Sequence, residues 1–547
     1  MKKSIKLLSL AVAAVAFVAC SSAEKMAKYA DNVKVVCEPE VLEVVAGEIQ
    51  ADVTLTFPEK YFHKQAILVV TPVLVYEGGE AAAKPFIYQG EKVKDNYKAV
   101  AALGQTVREK ALFDYVEGME SAVLELRAVV KHGKKEWTVP ARKIAVGCNT
   151  TYMLVDASGY IAPKADNYQE IISQTEEGQI LYQLNSSVVA NSQLRSQSVK
   201  DFIEALNEIN ANERKSLVST EIVAYASPEG GEKLNTRLSN NRSLTADKAW
   251  DKLTKGLEVA DPSVKSIGQD WEGFKQLVEA SDIEDKDLIL RVLSMYSDPA
   301  VRESEIKNMS AIYTVLRSSI LPELRRARFI ANVEYKNYTP EELVALVDDN
   351  MDILDEEALL RAATLVKDNV KKAQLYNKAV SKFGSDRAQF NLGVLALNED
   401  KIVSAEKAFA LVKTKDADLQ NALGVVELRK GNLDKAAAAF KKAANDDAKH
   451  NLGLVDILNG NYAKAAQELA DVKGCCFNRT LSLILNDQLD AAKASAKCKD
   501  ARVSYLKAII AARQGDQSAY RVAMAEVSKD AKLAARAEKD VEFLQFR

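Results

Sequence analysis

Histidine is nearly absent from this chain. There are three in 547 residues, His63, His132 and His450. They fall in different expected elements and two expected domains, and their spacing is not that of a metal site. A phosphate-cradling glycine loop, a GxSxG turn and an HExxH helix are also missing. The acidic run from Asp348 to Glu357 lacks the glycine and the alternation of a calcium loop, and it reads as solvated helix ends. These absences point away from an enzyme, and no metal or organic cofactor is expected. An excess of one charge is missing too: 74 Lys and Arg stand against 77 Asp and Glu, for a net charge of −3, with both signs mixed along the chain. Nucleic-acid binding calls for a concentrated basic face, so no such partner is expected. Beyond the first residues no apolar run approaches the roughly 20 residues that a spanning helix needs.

The beginning of the chain carries a clear signal. Lys2, Lys3 and Lys6 precede Leu7 to Ala19, an uncharged apolar stretch that is too short to span a bilayer and has the form of a signal peptide. The run Phe17-Val18-Ala19-Cys20-Ser21 resembles the lipobox of bacterial lipoproteins. That resemblance implies a signal peptide over 1–19, lipidation of Cys20 with acyl chains such as palmitate, and a lipidated linker over 20–30. Several acyl chains give stable membrane anchoring where one is marginal. Ser21, in place of Asp, implies sorting to the outer membrane. Most of the protein is then expected in the periplasm, with the cell surface left open by the export-tag-like Glu24-Lys25. Cleavage removes three lysines and takes the charge from −3 to −6.

The length suits about three domains. Over 31–150, Val53, Leu55 and Phe57 alternate with polar residues, Ala66 to Val75 is almost unbroken in apolar and β-branched residues, and Leu124, Leu126, Ala128 and Val130 alternate again. About seven short strands separated by glycine turns predict an all-β antiparallel sandwich. Residues 151–174 read as a linker. Cys37 and Cys148 lie near the two ends of this domain, and Cys475, Cys476 and Cys498 lie within one later helical repeat. Export permits a disulfide in each region, and buried free thiols are the equal alternative.

Over 175–336 a strand at Glu221–Tyr225, a turn at 227–231 and a helix from Leu234 form one unit. The residues Tyr225, Ser227, Gly230, Asn235, Leu238, Ser239 and Arg242 stand in register with the peptidoglycan-associating signature, and this stretch resembles OmpA-like domains. The resemblance implies an α/β fold whose turn Asp pairs with the ammonium of a peptide stem and whose helix Arg pairs with its carboxylate. Tyr225, Ser227, Gly230, Asn235, Leu238 and Arg242 are therefore the peptidoglycan-binding candidates. The Asp position holds Ser227, which can accept a hydrogen bond but cannot neutralise an ammonium. A helical insertion is expected over about 254–320, where the family has a short link.

From Thr339-Pro340-Glu341-Glu342, a capping box with proline at the first helical position, the chain repeats. Leu392-Gly393, Ala405 and Phe409 recur as Leu423-Gly424, Ala436 and Phe440, and again as Leu452-Gly453, Ala465 and Leu469. This resembles tetratricopeptide repeats, and 339–547 is expected to be an all-α solenoid of about six helix pairs with a concave groove. The resemblance implies protein partners held in that groove. The chain therefore reads as a non-catalytic scaffold or tether: membrane-bound through lipid, partner-bound through repeats, and on peptidoglycan if the central domain binds it. The alternative is an accessory subunit of an outer-membrane secretion, surface-fibre or barrel-assembly complex without peptidoglycan binding.

Overall fold

The structure is a computed structural model that describes residues 23–473 and 477–546. The expected signal peptide, Cys20, Cys475 and Cys476 lie outside them. The chain divides into two compact units: residues up to 164 together with those from 386 onward, and residues 165–385.

The first unit opens with a short helix α1 (Ala23–Lys28) and ten strands: β1 (Lys34–Glu38), β2 (Val41–Val45), β3 (Glu48–Phe57), β4 (Ile67–Tyr76), β5 (Gly79–Ala82), β6 (Phe86–Gly90), β7 (Lys98–Val100), β8 (Gln105–Asp114), β9 (Val123–His132) and β10 (Lys135–Asn149). The pairing order is β1-β3-β2-β10-β9-β4-β6-β7, with β8 on β3 and β5 on β4. The alternation read from the sequence sets the faces. Ile49, Ala51, Val53, Leu55 and Phe57 of β3 all point into the core. Strand β2 belongs to both layers. Its start runs parallel to β10, and its end turns back antiparallel on β3. The parallel pairings β2–β10 and β6–β7 depart from the wholly antiparallel sandwich expected.

Cys37 and Cys148 are buried free thiols. Cys37 sits on β1, paired with β3, and Cys148 on β10, paired with β2, and neither thiol is in a disulfide. Burial raises the first to a pKa of about 11 and the second to about 12.

The second unit contains β11 (Ile171–Leu181), α2 (Gln197–Ala211), β12 (Lys215–Ala226), α3 (Glu232–Leu253), β13 (Ser263–Gln269), α4 (Trp271–Glu279), α5 (Lys286–Met295), α6 (Pro299–Asn308), α7 (Ser310–Ser319), β14 (Arg326–Lys336), α8 (Pro340–Asp349), α9 (Glu356–Leu365) and α10 (Asn369–Phe383). Its sheet runs β11-β14-β12-β13, antiparallel except for β12–β13. Phe202, Trp250 and Phe329 pack their rings together beneath it. Strand β13 lies where helix was expected. It is a short edge strand with Val264 and Ile267 exposed, a pattern too brief to set a period. The four helices after it bury their own cluster, which includes Phe274, Val278, Ile289 and Leu316. The capping box of Thr339 and Glu342 forms as the sequence requires. Helices α8–α10, expected with the repeats, group with this unit.

The repeats return the chain to the first unit: α11 (Asp386–Asn398), α12 (Ile402–Ala410), α13 (Ala417–Arg429), α14 (Leu433–Ala443), α15 (Asp446–Leu458), α16 (Tyr462–Glu468), α17 (Phe477–Leu485), α18 (Leu489–Ser495), α19 (Ala501–Gln514), α20 (Gln517–Val527) and α21 (Ala531–Lys539). They stack as helix hairpins, and the repeated small residue explains the close approach. A Cβ on Gly393 or Gly424 would lie 2.4 Å from the ring of Phe409 or Phe440, and one on Gly453 would lie 2.7 Å from Leu469. One buried cluster runs from sheet residues such as Leu42 and Leu124 through Tyr152 to Phe390, Val425 and Leu454. The β-rich region and the repeats are therefore one body, not two beads on a linker.

Candidate functional site

Buried side-chain amides inside helices are costly unless they are hydrogen-bonded. Asn391, Asn421, Asn451 and Asn478 are each at most 6% exposed and recur about once per hairpin. Their partner is the chain itself. The segment 156–164, in the expected linker, has no helix or strand and lies along the first helices of the repeats, α11, α13, α15 and α17. Asn478 accepts from the Asp156 N–H at 2.8 Å and donates to the same residue's carbonyl at 2.9 Å. Asn451 accepts from Tyr160 N–H at 2.6 Å and donates to its carbonyl at 2.9 Å. Asn391 treats Lys164 in the same way, at 2.6 and 3.0 Å. Asn421 donates to the Tyr160 carbonyl and accepts from Asn451. Every fourth residue of the segment is thus gripped by both of its backbone groups, and the segment runs opposite to the order of the repeats.

Side chains add polarity at the two ends. Arg502 pairs with Asp156 at 2.8 Å. Lys164 pairs with Asp416 at 2.7 Å and with Asp418, and its ammonium lies 5.3 Å from the ring centre of Phe390. Burial works against the Lys164 charge, but the two aspartates outweigh it and hold its pKa above the ordinary lysine value. In the middle, Arg429 donates to the Ser158 carbonyl at 2.8 Å. A Cβ on Gly159 would meet Val425 at 2.8 Å. The Tyr160 ring stands edge-on to His450 at 5.5 Å. His450, read as a structural or surface residue of a repeat helix, thus faces the groove and bonds Asp471 at 3.0 Å. Hydrogen bonds from Lys449 and then His450 hold Asp471 down to about 2. None of these asparagines was singled out from sequence. Asn391, Asn421 and Asn451 at 30-residue intervals were the available signal.

The turn and helix of the second unit bring Tyr225, Ser227, Gly230, Asn235 and Arg242 together as the spacing requires. Asn235 donates to the carbonyls of Ser227 at 3.1 Å and Gly230 at 2.5 Å, which fixes the turn. Arg242 is 1% exposed. It donates to the backbone carbonyls of Ser186 at 3.0 Å, Tyr225 at 2.8 Å and Gln183 at 3.4 Å. Among the described residues no carboxylate lies within ion-pair distance of it, and burial lowers its pKa to about 10. The Ser227 hydroxyl donates to Glu229 at 2.5 Å, and Arg325 grips the same carboxylate at 2.8 and 3.3 Å. Leu238 is half-buried on α3. Beside it, the Ser239 hydroxyl lies 2.7 Å from that of Ser266 on β13. Arg326 forms a second closed pair with Asp270, the N-cap of α4, and its guanidinium lies 5.4 Å from the ring centre of Tyr225. Much of the polar chemistry that would receive a peptide stem is thus already engaged within the fold.

The sequence separates His63 and His132, yet their rings lie 4.8 Å apart, and burial followed by the neighbouring imidazole lowers the His63 pKa. Among the described residues no three potential ligands gather into a metal site. Cys498 is disulfide-bonded.

No protein-family model matches the chain, and no curated protein does. Among solved structures, the chain is similar to the one titled "Crystal structure of YrrB: a TPR protein with an unusual peptide-binding site", at 15% identity and a TM-score of 0.22, over 37% of this chain and 100% of that one. It is also similar to "Crystal structure of APC/C hetero-tetramer Cut9-Hcn1", at 13% identity and a TM-score of 0.31, over 62% of this chain and 80% of that one. At these scores neither likeness supports anything about function.

Proposed function

We propose that this protein is a non-catalytic scaffold, lipid-anchored in the outer membrane through Cys20, that holds protein partners through its helical repeats. The observation that carries the reading is the asparagine ladder. It is a row of buried amides spaced to grip an extended polypeptide by its backbone, and a segment sits in it with both backbone groups satisfied at three points. In vivo crosslinking of the intact protein tests this reading. Recovery of one stoichiometric protein partner supports it, and recovery of none refutes it. Replacement of Cys20 by Ala should release the protein from the membrane fraction, and persistence there would refute the anchor.

Of the two second-unit readings, an accessory subunit without peptidoglycan binding is favoured over a cell-wall tether. Three backbone carbonyls engage Arg242, and Arg325 and Ser227 engage Glu229. Sedimentation of the protein with purified sacculi separates these readings. Co-sedimentation that Glu229→Gln weakens would support the tether.

A further inference from the structure

The segment in the groove lies less deeply than the residues that hold it. Every residue from 156 to 164 is half-buried or exposed, while the four asparagines beneath are buried. An open cavity of about 250 Å³ lies beside it, lined by residues including Asp156, Tyr160, Asn478 and Arg502. The asparagine contacts are to backbone only, so the ladder accepts many sequences, while a few side chains choose among them. Arg502 selects an acid at the first grip. Val425 leaves no room for a side chain at 159. His450 offers a ring edge to an aromatic at the second grip. Asp416, Asp418 and Phe390 select a lysine at the third.

We propose that the groove is a peptide-reading site closed by a copy of its own ligand in cis. Its partner in trans is an extended protein segment with an acidic residue, a glycine–aromatic pair ending four residues later, and a lysine four beyond that. This rests on the scaffold reading above and supplies the partner's chemistry. A segment tethered at both ends competes at an effective concentration on the order of millimolar. A trans peptide with an intrinsic Kd of about 10 μM would then bind the native chain about 100-fold more weakly than a chain whose groove is empty.

The test uses the full chain and a fluorescent synthetic peptide spanning residues 154–166, read by anisotropy. In one variant residues 156–164 are replaced by glycine and serine. A second, milder variant carries Asp156→Lys with Lys164→Glu, which reverses both end charges and spares the backbone grips. The peptide is expected to bind both variants at least tenfold more tightly than the native chain, and Asn451→Ala in the first variant should remove that gain. Folded variants that bind no better than the native chain would overturn the proposal, as would binding insensitive to Asn451→Ala. Loss of fold in both variants would also overturn it, because a displaceable ligand is dispensable to the core. A partner still crosslinked in cells after such a failure would leave the scaffold reading standing, with the contact on another surface.

Discussion

Glu542 becomes glutamine at no cost in bulk, and the consequence can be worked from its surroundings. The carboxylate sits in the last turn of the described chain with its side chain 6% exposed. It accepts from Asn149 at 2.9 Å, from Thr151 at 2.7 Å, and from two nitrogens of Arg513 at 3.0 and 2.5 Å. Those partners belong to β10, the turn after it and α19, so one acid ties the sandwich to the repeats. Burial alone would raise its pKa, but the Arg513 hydrogen bonds and charge, with help from Thr151 and Asn149, leave it below the ordinary 4.5. The amide would leave the Arg513 guanidinium, 23% exposed, without its counter-charge. Breaking a buried pair in this way costs about 3–5 kcal/mol. With an unfolding entropy near 2.1 cal/mol/K per residue, a unit of this length should lose about 4–7 °C in Tm. Scanning calorimetry of native and Glu542→Gln chains reads it. A shift below about 1 °C would refute the claim that this acid carries the junction. The sign of the pH effect is fixed as well. With a folded pKa below the unfolded one, the carboxylate's contribution is complete above about 4.5 and is lost as pH falls through the folded value. The glutamine variant should lack that part of the acid dependence.

Three further outcomes follow from the packing. Gly424→Ala gains about 1 kcal/mol of helix preference on an open surface, but its Cβ would lie 2.4 Å from the Phe440 ring, and over-packing of about 1–3 kcal/mol should win. A lower urea midpoint is expected, and a higher one would refute the contact. Arg242→Ala should unfold the second unit at lower denaturant, because each buried carbonyl it abandons costs about 1–3 kcal/mol. An unchanged midpoint would mean that the side chain is not structural. Cys37 and Cys148, with pKa values raised to about 11 and 12, should resist alkylation at pH 8 until the chain unfolds. Prompt labelling at either site, mapped by mass spectrometry, would contradict their burial.

The parts legible in the sequence are those with a strict period. The buried face of β3 follows from alternation, and the hairpin contacts follow from a glycine and an aromatic ring that recur together. The turn and helix around Asn235 and Arg242 were legible from spacing, although their partners were not. Glu229 reaches Arg325 across 96 residues, and no local pattern announces such a pair. Strand β13 was hidden within the expected helical insertion because seven residues at a sheet edge, with two apolar side chains exposed, are too few to set a period against the helical spacing that follows. The groove ladder was hidden for a different reason. Asparagine in a helix usually reads as a surface residue, and only the arrival of a distant backbone, up to 322 residues away, makes it a buried one. The union of sandwich and repeats into one body was illegible because 221 residues of another unit separate them in sequence.

A hold on the main chain has a consequence for mutational tolerance. The amide hydrogens of Asp156, Tyr160 and Lys164 are the ones in use, so proline should be excluded at those three positions. Elsewhere the segment is permissive, and Pro163 already stands one residue before a grip, where its missing hydrogen is not used by the ladder. Apart from Gly159, pressed against Val425, and Ile161, packed against the core, the intervening residues are free to vary while the segment keeps its place. Across divergent sequences the asparagines and the spacing of four would outlast the letters at 157, 158, 162 and 163.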